Sequence, residues 1–284
     1  MGPDPEPMAE GLDRLLACAL RAAGLAAREI LEVYDTAFAV DAKRDRSPIT
    51  EADRRAHRAV EQSLSQAGDL PVLSEEGRLP DYRSRRRWPR FWLVDPLDGT
   101  KEFVKHNGEF TVNIALIDRR RPLLGVVYAP VLKLLYFAHR QGGSFKAEGV
   151  GPEELSAGLY PPPVLIPRRP SSFPGRIPAR PQAGRITVMR SRSHHSARLE
   201  RFLERLRRVY EEVEEIPLGA ALKSCAVAEG RADLYLRFGN TMEWDTAAGQ
   251  AVVEGVGRKV CSYPGRRPLV YNKRSLLNPA FLVY

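Results

Sequence analysis

Four apolar residues, Phe91-Trp92-Leu93-Val94, run directly into Asp95-Pro96-Leu97-Asp98-Gly99-Thr100. A short apolar run of this kind reads as a buried strand. Pro96 has no backbone N–H and cannot extend a ladder, so the strand is expected to end at Asp95. Two carboxylates then share one strand end. Held a few ångströms apart they repel, and partial burial worsens the repulsion, so one protonates or a cation lies between them. Hard oxygen ligands on a stiff turn favour Mg²⁺, with the Leu97 carbonyl as a further ligand. Gly99 removes the Cβ where the backbone must approach something closely. A helix starting at Thr100 would aim its free N–H groups at the same spot and favour an anion. The combination reads as a phosphate held against metal ions. The same letters also suit a plain turn in which Asp98 caps a helix.

Further acids stand at the ends of apolar runs. Glu75 and Glu76 follow Pro-Val-Leu-Ser, Asp53 follows Ser-Pro-Ile-Thr-Glu-Ala, and Asp245 follows Met-Glu-Trp and opens a helical pattern. Each alone suits a solvated acid or a helix cap. Together they suit a two-metal phosphoryl-transfer site, where ions flank the attacking and leaving oxygens.

The surrounding patterns supply a frame for such a site. Residues 8–34 repeat apolar positions at helical spacing, among them Leu12, Leu16, Ala19, Ala23, Ala27 and Ile30. A second helix carries Ala52, Ala56, Val60 and Leu64 on one side. Strand patterns follow at PVLS, RFWLVDP and FTVNIALID, and PLLGVVYAPVLKLLYFAH reads as two strands around a turn at Pro130. Residues 1–147 therefore read as an N-terminal α+β domain, two helices on an antiparallel-rich sheet, carrying most of the acids. Residues 148–185 are dominated by proline, glycine and arginine and lose periodicity, which predicts a linker or long surface loop. From 186 to 284 strands and helices alternate: RITVMRS, a helix over 196–209, EVEEIP, GAALKSCAVAEG closed by Gly230, DLYLRF, WDTAAGQAVVEGVG and a terminal hairpin in KVCSYPGRRPLVY. This is a smaller C-terminal α/β domain.

The formal net charge of +9 suggests an anionic partner: nucleic acid, an acidic membrane surface or a phosphorylated small molecule. The arginines of RSRRRWPR (83–90) read as a solvated loop before a strand. The three cysteines, Cys18, Cys225 and Cys261, lack metal-ligand spacing and read as reduced thiols of a cytoplasmic protein. The acidic, proline-rich start MGPDPEPMAEG is unlike a secretory signal, and no apolar run approaches the roughly 20 residues of a membrane span. His57, His106 and His139 lie far apart and read as structural.

The motif Asp-Pro-Leu-Asp-Gly-Thr at 95–100, Trp244-Asp245-Thr246-Ala247-Ala248-Gly249, and the segments SPITEAD and SEEG in order before them resemble the lithium-sensitive, Mg²⁺-dependent phosphatases of the inositol monophosphatase superfamily. The likeness spans roughly 12–284 apart from 148–185. It implies an α+β or α/β layered sugar-phosphatase fold with alternating α-β-α-β-α layers. DGTKEF followed by NGEFTVNIALI looks like the 3′(2′),5′-bisphosphate nucleotidase branch; inositol monophosphatases more often carry an uncharged pair before the phenylalanine. That branch implies hydrolysis of 3′-phosphoadenosine 5′-phosphate to AMP and phosphate, which clears a by-product of sulfate assimilation in bacteria. The alternative is a broad phosphatase of inositol phosphates or fructose 1,6-bisphosphate using the same acids.

The resemblance also implies roles. Glu75, Asp95 and the Leu97 carbonyl would hold a first Mg²⁺, and Asp95, Asp98 and Asp245 a second, with Glu76 helping to hold a third. Thr100 paired with Asp53 would take the proton of the attacking water. Gly99, Thr100, Lys101 and Asp245 would meet the substrate on the phosphate side. His194, Lys223 and Arg237 match positions that touch adenine or the distal phosphate, and Lys43 one near the metal-bound water. Ala220 departs from the family, which often has serine there. The implied partner is a phosphorylated nucleotide, with no nucleic acid; a homodimer and a peripheral place at the inner membrane surface are compatible with it.

Overall fold

The computed structural model describes residues 5–36, 40–42, 48–168, 184–193 and 196–284. In chain order the elements are α1 (Pro5–Tyr34), β1 (Val40–Ala42), β2 (Pro48–Thr50), α2 (Glu51–Ser65), β3 (Val72–Ser74), α3 (Tyr82–Arg85), β4 (Arg90–Asp98) and α4 (Thr100–Val104). There follow β5 (Thr111–Asp118), β6 (Arg121–Ala129), β7 (Leu134–His139), β8 (Gly143–Glu148), α5 (Pro152–Ala157) and β9 (Val164–Leu165). The rest are β10 (Arg185–Ser191), α6 (Ala197–Arg207), β11 (Glu212–Leu218), α7 (Leu222–Glu229), β12 (Leu234–Arg237), α8 (Trp244–Gly255), β13 (Val260–Ser262) and β14 (Phe281–Val283).

Successive side chains of a strand take opposite faces, and β4 shows what this builds. Trp92 and Val94 join a core with Ala23, Ile30 and Val60, so α1 and α2 cover that face. Phe91 and Leu93 join another with Val227, Ala248 and Val252, so α7 and α8 cover the other. β4 lies in a seven-stranded sheet of order β3-β4-β5-β6-β7-β8-β9, antiparallel except for the parallel β3–β4 pair. A five-stranded sheet, β11-β10-β12-β14-β13, gives Met189, Tyr235 and Val283 to the α7/α8 core. Its other face packs Val188, Leu234 and Leu282 on Leu199, Phe202 and Leu206 of α6. The layers therefore run α-β-α-β-α, as the resemblance implied, with α7 and α8 in the middle. α8 comes very close to the large sheet at Gly125, where an added Cβ would stand 2.6 Å from the Ala248 carbonyl oxygen and 2.7 Å from the Ala251 Cβ.

The structure departs from the sequence reading in four places. β4 does not stop at Asp95: the ladder skips Pro96, which has no N–H, and resumes, with Asp95 opposite Asn113 and Asp98 opposite Thr111. Asp98 does not cap the following helix; Gly99 (φ 91°) is the N-cap and offers no side chain, while the Asp98 carboxylate accepts from Asn113. The segment read as a connector holds α5, whose Pro152 sits in the first turn, and β9, which adds an edge to the large sheet. The terminal hairpin is replaced by pairing of β13 with β14, because prolines at 264 and 268 interrupt the nearer partner and leave one bridge, Cys261 to Pro268. All three cysteines are free thiols, with Cys225 and Cys261 buried.

Candidate active site

Glu75 and Asp95 are brought side by side by parallel pairing. Ser74 lies opposite Val94, and the Glu75 N–H donates to the Val94 carbonyl at 3.1 Å, so both acids leave neighbouring strands at the same end. Asp245 arrives from the first turn of α8, the helix wedged between the sheets, and its carboxylate accepts from the Met242 N–H at 3.0 Å. Ligand oxygens of Glu75, Asp95 and Asp245 lie within 4.8 Å of one another. Asp98 completes the acidic wall, held by Asn113 Nδ2 at 3.1 Å, and Asn113 is itself oriented by the Thr111 hydroxyl at 2.9 Å. The Asp95 carboxylate accepts from the Leu97 N–H at 3.2 Å, which fixes the turn. All four acids and Leu97 line one cavity of about 420 Å³.

The acids pay for this crowding in their proton affinities. Burial pushes Asp98 up to about 6, with Glu75 and Glu102 adding repulsion against the attraction of Lys223 and the Asn113 bond. Burial, then the charges of Asp98 and Glu75, push Asp245 well above the usual carboxylate range. Groups so placed either hold protons or hold cations. An all-oxygen donor set of several converging carboxylates fits hard divalent ions such as Mg²⁺.

Cations line the same cavity. Lys223 of α7 is buried and donates to the carbonyls of Ala220 (2.6 Å) and Leu218 (3.3 Å). Burial lowers it to about 8, against the pull of Asp98. Arg237 ends β12 and lines the cavity, and its Nε is buried with no hydrogen-bond partner among the described residues. A buried donor in that state is ready for an anionic oxygen. Ala220 lines the cavity too, in a left-handed conformation (φ 46°), with its Cβ 3.3 Å from where a Cβ on Gly99 would stand.

Gly99, Thr100 and Lys101 also line the cavity. The Thr100 hydroxyl donates to the buried Asp53 carboxylate of α2 over a long 3.5 Å. Glu76 is not among the cavity-lining residues. His194 and Lys43 lie outside the described residues. His57 bridges Ser74 and Glu61, and His106 packs on Tyr34, both away from the cavity wall. Sequence reasoning missed Asn113, although an asparagine inside the apolar run VNIALI was a signal. It also missed Ser224, Tyr235 and Asn240, which line the cavity but carried no pattern.

Acids gathered for divalent ions, sharing one cavity with the cations Lys223 and Arg237 in a five-layer fold, define a metal-dependent phosphoester hydrolase. The chain belongs to the inositol monophosphatase family, whose model matches residues 11–282. It is 45% identical over 259 residues to the 3′(2′),5′-bisphosphate nucleotidase CysQ of Escherichia coli (strain K12), covering 89% of this chain and 93% of that one. It is 31% identical over 262 residues to the enzyme of the same name from Haemophilus influenzae, covering 90% and 87%. The crystal structure of CysQ from Bacteroides thetaiotaomicron superposes with a TM-score of 0.77 at 40% identity, covering 95% of this chain and 96% of that one. The family is Mg²⁺-dependent. No helix among the described residues is long and apolar enough to cross a membrane.

Proposed function

We propose that this protein hydrolyses the 3′-phosphate of 3′-phosphoadenosine 5′-phosphate, giving AMP and inorganic phosphate. The observation that carries the reading is one cavity lined by both the acids Glu75, Asp95, Asp98 and Asp245 and the cations Lys223 and Arg237. A molecule with two phosphates can set one against the metal-holding acids and the other against the cations, and the sequence likeness to bisphosphate nucleotidases supports this choice. Water oxygen bonds to phosphorus as the bond from phosphorus to the 3′-oxygen breaks and the departing 3′-oxygen takes a proton from solvent, without a covalent phosphoenzyme.

Glu75, Asp95 and the Leu97 carbonyl are assigned to a first Mg²⁺, Asp95, Asp98 and Asp245 to a second, and Glu76 to a weaker third. Bound Mg²⁺ supplies charge neutralisation for the phosphoryl oxygens and acidifies water. Thr100 and Asp53 provide the proton sink: the hydroxyl accepts the water's proton as it passes its own to the buried carboxylate. This keeps a bare carboxylate away from the phosphate. Lys101, His194, Lys223 and Arg237 are assigned to the nucleotide. The reaction is placed in the cytoplasm.

A substrate panel at equal concentrations tests the reading. 3′-Phosphoadenosine 5′-phosphate is expected to release phosphate faster than inositol 1-phosphate or fructose 1,6-bisphosphate, only with Mg²⁺, and Li⁺ is expected to inhibit at fixed Mg²⁺. Faster turnover of inositol 1-phosphate would replace the reading with the broad sugar-phosphate phosphatase.

A further inference from the structure

The two charged motifs DGTKEF and NGEF lie on opposite sides of a short loop after the phosphate turn, and their glutamates reach across to the second sheet. Glu109, between α4 and β5, receives a two-pronged contact from Arg192: Nε to Oε2 at 2.7 Å and Nη2 to Oε1 at 2.6 Å. The same Oε2 accepts from the Gly219 N–H at 2.8 Å, and Arg192 Nη2 also donates to the Pro217 carbonyl at 3.2 Å. Arg192 directly follows β10 and Gly219 directly follows β11, and those strands are neighbours with Ser191 opposite Leu218. Glu109 therefore pins two adjacent strand ends at once. Glu102 repeats the tie, accepting from the Ser193 hydroxyl, to which Lys105 Nζ also donates at 3.2 Å.

The contact is too close for anything but glycine at 219. A Cβ there would stand 2.4 Å from the Glu109 carbonyl oxygen and 2.9 Å from the Glu102 Cγ. The loop so pinned continues into Ala220, which abuts Gly99, and into Lys223, whose ammonium is held by the Ala220 and Leu218 carbonyls. A two-pronged guanidinium–carboxylate contact fixes orientation as well as distance. The Glu109 side chain is only 15% exposed.

We infer that Glu109, through Arg192 and Gly219, is a positioning residue for substrate selection: it sets the segment carrying Ala220 and Lys223 against the phosphate turn and so decides whether a nucleotide carrying a second phosphate fits. This rests on the nucleotidase reading for the identity of the substrate, but not for the existence of the brace. It also gives the Glu102 of the charged pair before Phe103 a structural purpose, a tie to the second sheet.

The test compares wild type, Glu109→Ala, Glu109→Gln, Arg192→Ala and the double variant Glu109→Ala/Arg192→Ala in the full chain with saturating Mg²⁺. Each is assayed with 3′-phosphoadenosine 5′-phosphate, inositol 1-phosphate, fructose 1,6-bisphosphate and p-nitrophenyl phosphate, which has no second phosphate to place. Glu109→Ala is expected to raise KM for the bisphosphonucleotide about tenfold or more while kcat, and kcat/KM for p-nitrophenyl phosphate, stay within about threefold. Glu109→Gln, which keeps one of the two acceptor oxygens and loses the charge, is expected to fall between. The double variant is expected to be no worse than the poorer single one, because both remove the same contact. Equal losses on all substrates, no loss on any, or additive losses in the double variant would overturn the inference. If Glu109→Ala does not fold, Glu109→Gln and Arg192→Ala decide by the same KM split. Should wild type prefer inositol 1-phosphate, the nucleotidase reading fails while the brace is judged by the same KM split between fructose 1,6-bisphosphate, which carries a second phosphate, and p-nitrophenyl phosphate.

Discussion

Asp98→Asn is expected to abolish turnover, by about 10²–10³-fold or more, while the metal-free protein becomes more stable than wild type. The change keeps shape and keeps an acceptor for Asn113 Nδ2, so the local hydrogen bonds survive. What goes is one negative charge from a wall where Glu75 and Glu102 already repel it. The Asp98 carboxyl titrates near 6 in the fold against 3.8 ordinarily, so the folded state binds its proton more tightly than the unfolded chain does. Without metal, the Asp98 contribution to stability is therefore full below about pH 4 and is lost as pH rises through about 6. Screening through the open side of the cavity holds this loss to about 1–2 kcal/mol. In Asp98→Asn that part of the pH dependence should vanish. Thermal melts in chelator at pH 4, 5, 6 and 7, with phosphate release at saturating Mg²⁺, read both halves. A variant that turns over at the wild-type rate, or melts lower at pH 7, contradicts this account of the acidic wall.

Gly125→Ala should cost about 3 kcal/mol of stability and at least about tenfold in kcat/KM at temperatures where the variant is still folded. The new Cβ would stand 2.6 Å from the Ala248 carbonyl oxygen, 2.7 Å from the Ala251 Cβ and 2.9 Å from the Ala248 Cα. The obstruction is mostly helix backbone, so no side-chain rotation relieves it. α8 must move away from the sheet, and it cannot do so freely because its other side packs into the same core as α7 and the second sheet. Asp245 rides on the first turn of that helix, so a shift opens the distance to Glu75 and Asp95. Gly11→Ala is the control: the position lies on α1 with nothing within 4 Å, and the substitution should stabilise by about 0.5–1 kcal/mol. If Gly125→Ala melts and turns over like wild type, the tight seating of α8 does not control the site.

These two positions also show what a sequence can and cannot tell. The acids are readable because each ends an apolar run, and the pattern of β4 places Asp95 and Asp98 at a strand end. The register of that end was not readable. The sequence says where Pro96 forbids a ladder bond, but the partner strand decides whether pairing resumes, and here it does at Asp98 opposite Thr111. α5 and β9 were hidden in a proline-rich segment because a six-residue helix and a two-residue strand leave too little periodicity to detect. β14 was missed because its partner β13 lies nearly twenty residues earlier, while a closer segment looked like the natural mate. The brace was invisible for a related reason. Glu109 and Arg192 are separated by 83 residues, and only the packing of the second sheet on the phosphate turn brings them together. Glu243 behaves in the same way: fully buried before α8, it accepts from Asn272 N–H, Lys273 N–H and Lys273 Nζ, contacts no motif announces.

The most direct test of the central claim is a calorimetric titration of Mg²⁺ into the chelator-treated protein with inorganic phosphate present, run on wild type and on Asp245→Asn. Converging carboxylates from β3, β4 and α8 predict at least two ions bound per wild-type chain and one fewer, or much weaker binding, in the variant. A single ion or none in wild type, or identical isotherms for the two proteins, would mean that these acids do not form one metal site.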